Sequence, residues 1–474
     1  MNTVLLIDDD RVTRHALSHL LTNGGWKVLE ADDGESGLRI VQESAPQVVI
    51  CDLLMPRSNG FQVCRSIREK GHSLPQPKII VTTASSYPTD RLNAFEAGAD
   101  EFIVKPIQPA GLMALLESLT NPGTETEIIR RKAGKRSVSR PSDTSEHYKP
   151  MMLDDDGVRV RFWGVRGSIA TPGPDTAYYG GNTTCVEVRA DGEIIVLDAG
   201  TGIRPLGLKL INEFKAQPLR ATILLTHTHW DHIQGFPFFI PAYNPKNQLR
   251  ILGYEGARKG LQTTLSSQME SPYFPISMQE MPGNIECLEL KDLEFNIGKV
   301  KVQAKFVNHP GICVGYKLIT SKGSIVFIPD NEPYARLKAA PGKLAPKEHA
   351  EALEFARQQD QKLIDFIRGA EVLIMDSQYD ATEYPRHVGW GHTCVDDTVA
   401  FAMTAGVKKL FLFHHDPGHD DEHVGHMEAQ ARELVRRQEG SLEVEAAREG
   451  LIHDLAAATS ASTGAIAAGK VGLG

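Results

Sequence analysis

The sequence contains no run of 18 apolar residues, no CxxC pair and no tandem repeat. The first absence argues against a membrane-spanning helix. The N-terminus, MNTVLLIDDD, lacks a basic leader region and turns acidic at once, so no secretory signal is expected. Only six cysteines occur, at 51, 64, 185, 287, 313 and 394, scattered rather than paired. That spacing fits a reduced, cytoplasmic protein and not a disulfide scaffold or a cysteine-based zinc site. Excess positive charge is also missing. The formal net charge is −9, which makes DNA or another long polyanion a poor partner. What remains is 474 residues with 41% hydrophobic and 23% charged side chains, an ordinary globular composition and room for two or three domains.

Residues 1–120 alternate short apolar runs with helix-period segments. VLLI (4–7), VVIC (48–51), KIIVT (78–82) and EFIVK (101–105) read as buried strands. RVTRHALSHLLTN, ESGLRIVQESA and GFQVCRSIREK read as the helices between them. This alternation predicts an α/β doubly wound parallel sheet, with functional side chains at the carboxyl ends of its strands. Residues 121–150 break the pattern, with seven Lys/Arg against four Asp/Glu, and are expected to be a flexible basic linker. From about 157 a second set of strands begins, including VRVRFWG, CVEVRA, EIIVLDAG, ATILLTHTH, VKVQAKFV, SIVFIPD, VLIMD and KLFLFHHD. Two long helical patterns, 348–370 and 421–438, lie among them. A second α/β domain with two sheets is expected over 151–456, followed by a disordered tail at 457–474 rich in small residues.

The first candidate site lies at strand ends in the N-terminal part. Asp8, Asp9 and Asp10 follow LLI, Asp52 follows VVIC, Thr83 ends its strand, and Lys105 precedes Pro106. One such aspartate could be a helix N-cap. Several carboxylates at one sheet edge instead make a hard-oxygen site suited to Mg²⁺, with a lysine to pair an anion. The motifs IDDD, CDLLMPRSNG, TTA and KP, over about residues 2–119, closely resemble a two-component receiver domain. That resemblance implies a flavodoxin-like fold, with Asp52 as phosphoacceptor. It implies Mg²⁺ held by Asp8, Asp9 and Asp52 with the carbonyl of Leu54. Thr83 and Lys105 would contact the phosphoryl group, Phe102 would be the aromatic switch, and the Lys105–Pro106 bond would be cis. The implied partner is a sensor histidine kinase or phosphotransfer protein.

The second candidate site is LLTHTHWDH, which places His227, His229, Asp231 and His232 directly after an apolar strand. Imidazoles with one carboxylate suit Zn²⁺, Mn²⁺ or iron. The motif looks like that of the metallo-β-lactamase superfamily, and the likeness spans about residues 158–455. It implies an αββα sandwich holding two divalent transition-metal ions, zinc or manganese. His227, His229 and His309 would hold one, Asp231, His232 and His414 the other, and Asp330 would bridge them. His414 is preferred to its neighbour His415 because it directly follows the strand. Asp198, in VLDAG, matches a buried aspartate that orients the ligand loop. His419, His423 and His426 are expected to be solvated helix residues.

Finer motifs narrow the chemistry. The metal-binding cysteine of many β-lactamases is replaced by Asp330, and the HxExD pattern of diiron flavoproteins is absent. MDSQYD (375–380), GWGHT (389–393) and KKLFLFHHD (408–416) resemble the ribonuclease Z and cyclic-phosphodiesterase branch. FWGVRGSIATPGP and YYGGNTTCVEV also look like the bacterial phosphodiesterase-like subgroup. By that likeness Asp231, Asp376 and His392 are catalytic, with His392 assisting the leaving oxygen and Asp376 orienting it. No clear arm for gripping tRNA is seen. The expected protein is a response regulator with an enzymatic output, a phosphodiesterase acting on a small phosphodiester such as a cyclic nucleotide, and capable of homodimerisation. Two alternatives stay open: a hydrolase of a carboxylic ester, lactone or thioester, and a phosphorylation-controlled interaction module with little catalysis. Segment 331–370 is either a lid over the site or a packed surface helix.

Overall fold

In a computed structural model, the described residues are 2–69, 76–120, 157–215, 217–254, 260–271, 273–339 and 345–455. The expected linker and tail lie outside them. The N-terminal part has strands β1 (Thr3–Ile7), β2 (Lys27–Ala31), β3 (Val48–Asp52), β4 (Lys78–Thr83) and β5 (Glu101–Val104), in the order β2-β1-β3-β4-β5. All pairings are parallel. Central β3 is buried along its whole length, which is why it reads as an unbroken apolar run. Five helices cover the faces. The first, Arg11–Asn23, is capped by Asp10, whose side chain accepts from the amides of Val12 and Thr13. The Lys105–Pro106 bond is cis.

The C-terminal part is a four-layer sandwich. One sheet contains β6 (Val158–Gly164), β7 (Cys185–Ala190), β8 (Glu193–Leu197), β9 (Arg220–Leu225), β10 (Gln248–Gly253), β11 (Asn284–Glu289) and, at its other edge, the last strand, Ile452–Leu455. The facing sheet runs β12 (Glu294–Ile297), β13 (Val300–Phe306), β14 (Val314–Thr320), β15 (Gly323–Ile328), β16 (Val372–Asp376), β17 (Lys409–Phe413) and β18 (Glu443–Ala446). The last strand is β19. Val160, Val188 and Ile195 from the first sheet and Val302, Phe327 and Phe411 from the second fill the space between. Outside, the helix Ile203–Phe214 covers the first sheet through Leu206 and Leu210. Helices Pro346–Ile367, Val395–Thr404 and Asp421–Arg437 cover the second through Leu363, Val399 and Ala431. Among the described residues no helix is long and apolar enough to cross a membrane.

Candidate metal centre and phosphoacceptor site

The loops that leave β9, β13, β15 and β17 meet at one end of the sandwich. They carry His227, His229, Asp231 and His232; His309; Asp330; and His414, respectively. Asp330 lies between two lobes. Its Oδ2 is 3.7 Å from His227 Nε2 and 3.5 Å from His309 Nε2, and His309 Nε2 is 3.0 Å from His229 Nδ1. Its Oδ1 is 3.1 Å from His232 Nε2 and 3.4 Å from His414 Nε2, and both these nitrogens are 3.2 Å from Asp231 Oδ2. Ligands about 2.0–2.1 Å from one tetrahedral ion stand about 3.3 Å apart, so both lobes have the separations of ligand shells. His227 Nε2, His232 Nε2 and Asp330 Oδ1 are buried without any hydrogen-bond partner. Orphaned polar atoms of this kind are costly unless something else satisfies them, and a cation in each lobe does so. The residues therefore fit two ions.

The electrostatics agree. Burial, reinforced by neighbouring imidazoles, holds His227 well below the usual histidine range, in the neutral form that binds metal. Burial alone would also lower His232, but Asp231, Asp330 and Asp198 outweigh it and favour positive charge there. Burial would raise Asp231 and Asp330, yet the surrounding histidines, His232 foremost, keep both well below the ordinary carboxylate range.

The other ring nitrogen of each buried candidate ligand is anchored, which fixes the ring. His232 Nδ1 lies 2.8 Å from Asp198 Oδ2, and Asp198 also accepts from the Thr226 amide. His309 Nδ1 meets the Gly391 carbonyl at 2.9 Å, and His414 Nδ1 meets Gln378 Oε1 at 3.0 Å. Asp198 and His414 both have left-handed φ, +61° and +62°, a backbone strain typical of functional sites. His415 turns away, with Nε2 on the Ala447 carbonyl. Beside the lobes, His392 Nδ1 is 3.0 Å from Asp376 Oδ2. Burial lowers His392, but Asp376, followed by Asp330 and Asp231, more than compensates and raises it to about 9. Asp376 is fixed in turn by the amides of Asn331 and Gln378, at 3.0 Å each.

At the carboxyl ends of β1, β3 and β5, Lys105 Nζ lies 2.9 Å from Asp8 Oδ2 and 2.6 Å from Asp52 Oδ1. Asp52 Oδ2 accepts from the Leu54 amide, and Thr83 Oγ1 accepts from the Ser85 amide at 3.1 Å. Burial, reinforced by Asp8, raises Asp9, so this corner too favours a cation. Phe102 is half-buried and packs against the core from β5.

Residues 4–117 match the family model of the response regulator receiver domain, and residues 194–346 that of the beta-lactamase superfamily domain. The chain joins a receiver domain to a beta-lactamase-superfamily domain. The response regulator MprA of Mycolicibacterium vanbaalenii is 34% identical over 142 residues, 30% of this chain and 58% of that protein's length. The match thus takes in less than two thirds of that curated relative. Among solved structures, the metallo-beta-lactamase fold protein YhfI from Bacillus subtilis superposes with a TM-score of 0.43 at 15% identity, over 63% of this chain and 100% of YhfI. A diphosphatase from the PhnP family gives 0.42 at 16%, over 62% and 97%. The beta-lactamase-superfamily fold implies divalent metal ions.

The receiver corner that holds Asp52, Thr83 and Lys105 opens into a cavity of about 700 Å³ shared with the second domain, whose Lys305, Tyr334 and Lys362 also line it. Lys362 pairs with Asp10 at 3.1 Å. The helix Pro346–Ile367 is therefore a packed helix that also faces the receiver. His419 departs from expectation. It precedes the helix Asp421–Arg437, is buried, and lies 2.9 Å from Glu383, because the Arg166 side chain ties its carbonyl inward at 2.6 Å. Sequence reasoning did not single out Gln378, Asn331 or Glu332, which hold the ligand loops. Each follows a motif aspartate within two residues, the only signal available.

Proposed function

We propose that the chain is a response regulator whose output is a dinuclear metal-dependent phosphodiesterase acting on a small phosphodiester. The observation that carries this reading is the Asp376–His392 pair beside a ligand cluster split evenly across Asp330. When bound, two zinc or manganese ions would supply an activated water and positive charge for the phosphoryl oxygens. His227, His229 and His309 would hold one ion, Asp231, His232 and His414 the other, with Asp330 between them. Asp376 accepts the Nδ1 proton of His392 and fixes the ring. The opposite nitrogen, Nε2, is then the atom that gives a proton to the leaving oxygen. Trp230 adjoins His229, and Trp390 lies two residues before His392. Both are exposed, at 72% and 61%, and their rings suit stacking on a nucleobase. Together with the acidity of the chain, this favours a cyclic or linear nucleotide over a long nucleic acid.

In the receiver, Asp52 would take a phosphoryl group from a histidine kinase or phosphotransfer protein, with Mg²⁺ held by Asp8, Asp9 and Asp52. The deciding test is turnover of bis-p-nitrophenyl phosphate and a nucleotide panel by the zinc- or manganese-loaded chain. With two ions bound and no phosphodiester turned over, the interaction-module reading takes its place.

Gly167 offers a sharper check of the ligand shell. A Cβ there would lie 2.4 Å from the His414 ring, a distance no real contact sustains. Its neighbour Ser168 donates its amide to Asp231 Oδ2 at 2.8 Å. Gly167→Ala is expected to push His414 aside and weaken metal binding roughly 10–100-fold, as loss of ligand support does. Competition against a chromogenic chelator measures it. Unchanged affinity would remove His414 from the proposed shell.

A further inference from the structure

The receiver does not merely sit beside the metal centre; its loop after β4 reaches the loops that carry the ligands. Tyr87, 3% exposed, places its hydroxyl 3.2 Å from Glu332 Oε2 and 3.3 Å from the Asn308 carbonyl. Asp90, fully buried, accepts from the Gly311 amide at 2.8 Å and is bonded by Ser85 Oγ. Asn308 and Gly311 flank His309, and Glu332 follows Asp330 by two residues. Glu332 is itself fully buried. A carboxylate so placed is tolerated only when hydrogen-bonded, and it is. Its Oε1 accepts from the Gly389 amide at 2.8 Å and Tyr384 Oη at 2.9 Å, and its Oε2 from the Gly391 amide at 2.8 Å. Gly391 precedes His392, and its carbonyl anchors His309.

Glu332 thus gathers the loops bearing His309, Asp330 and His392: its backbone exchanges hydrogen bonds with Asn308, at 2.8 Å and 2.6 Å, its carboxylate holds the Gly389–Gly391 loop, and one donor to that carboxylate belongs to the receiver. On the receiver side, the same loop begins at the phosphoacceptor corner. Thr83 lines that corner, and its hydroxyl accepts from the Ser85 amide; Ser85 then bonds Asp90.

We infer that Glu332 is a positioning residue for the metal-centre loops and that Tyr87 and Asp90 set it from the receiver, so that occupancy of Asp52 is felt at His309 and His392 by direct contact. This rests on the regulated-hydrolase reading, which it deepens by naming the contact. A phosphoryl group or its mimic draws on the Thr83 hydroxyl. The Ser85 amide then loses its acceptor, and the Ser85–Asp90–Gly311 chain shifts with it. The change is a local electrostatic event acting on a packed interface. No transmission through residues 121–150 is needed.

The test uses the full chain loaded with zinc and Mg²⁺, with and without beryllofluoride, and reads backbone amide exchange in segments 306–312 and 387–393 beside phosphodiester turnover. In the wild-type chain, beryllofluoride is expected to change exchange in both segments by about fivefold or more, the lower end of usual site-to-site coupling. Tyr87→Phe combined with Asp90→Asn should reduce that change to below about twofold, while a fluorine NMR signal still shows beryllofluoride at Asp52. If the double variant does not fold, Tyr87→Phe alone, which removes one oxygen atom, carries the same test. Glu332→Gln should keep both zinc ions, lower kcat more than it raises KM, and blunt the beryllofluoride response. A wild-type-sized exchange response in the Tyr87 and Asp90 variant, or none in the wild-type chain with beryllofluoride bound, overturns the inference. Exchange coupling without any phosphodiester turnover would leave the contact standing and bring down the hydrolase reading instead.

Discussion

Asp330→Ala is expected to release both metal ions and lower phosphodiester turnover by more than about 10³-fold, beyond the cost of losing one hydrogen-bond donor to the transition state. The reason is its position. Its two oxygens face different lobes, Oδ2 toward His227 and His309, and Oδ1 toward His232 and His414. Removing it takes a shared anion from both. It also removes one of the three carboxylates that make the His232 corner hospitable to positive charge. His227→Ala should be less complete. It deletes one ligand of one lobe and leaves Asp231, His232, His414 and Asp330 together, so about one ion per chain should remain, with hydrolysis still lost because both ions are used. Elemental analysis with turnover of bis-p-nitrophenyl phosphate distinguishes the two. Circular dichroism should show a folded chain in both, since the inter-sheet core and the helical layers do not include these residues. Two ions and a wild-type rate in Asp330→Ala would end the assignment of Asp330 as the ligand shared by the two lobes.

Much of the arrangement was legible because its signals are local. Strands buried on both faces, such as β3 and β16, read as apolar runs ending in the aspartates that matter, Asp52 and Asp376. The helices Arg11–Asn23 and Asp421–Arg437 follow patterns visible in the sequence, each with an aspartate cap before it. Elements without such signals were not visible. β2, Lys27–Ala31, is an edge strand that buries only Ala31. β12, β18 and β19 are four-residue edge strands whose pairing is set by distant partners. The helix Pro88–Ala97 shows no clear apolar stripe. It buries Ala94 and Ala97 together with Asp90, and packs against the helix Gly60–Glu69 and β5 of the receiver, while Asp90 accepts from the Gly311 amide of the second domain. The same holds at the site. Ligand-type residues crowd into short motifs, but Glu332 acquires its role from partners 52 to 245 residues away, a long-range relation that no spacing encodes.

His392→Ala should behave differently from any ligand variant. It is expected to keep both ions and to lose roughly 10²–10⁴-fold in rate on phosphodiesters with alkoxide leaving groups, the usual scale of general acid help. With p-nitrophenolate, which departs without a proton, the loss should shrink to within about tenfold. The pH profile follows from the same pair. Burial lowers the imidazole, but Asp376 at 3.0 Å, followed by Asp330 and Asp231, raises it to about 9, so the carboxylates favour the imidazolium, which is lost as pH rises. Rates on alkoxide substrates should therefore fall on the alkaline side, with bound divalent ions drawing that limb to lower pH, while p-nitrophenyl substrates stay nearly flat. Asp376→Asn removes the charge that sustains the imidazolium, and the limb should move to still lower pH. An equal loss in His392→Ala on good and poor leaving groups, with an unchanged pH profile, would make the pair a structural support of the Asn331 and Gln378 loops, whose amides Asp376 already holds.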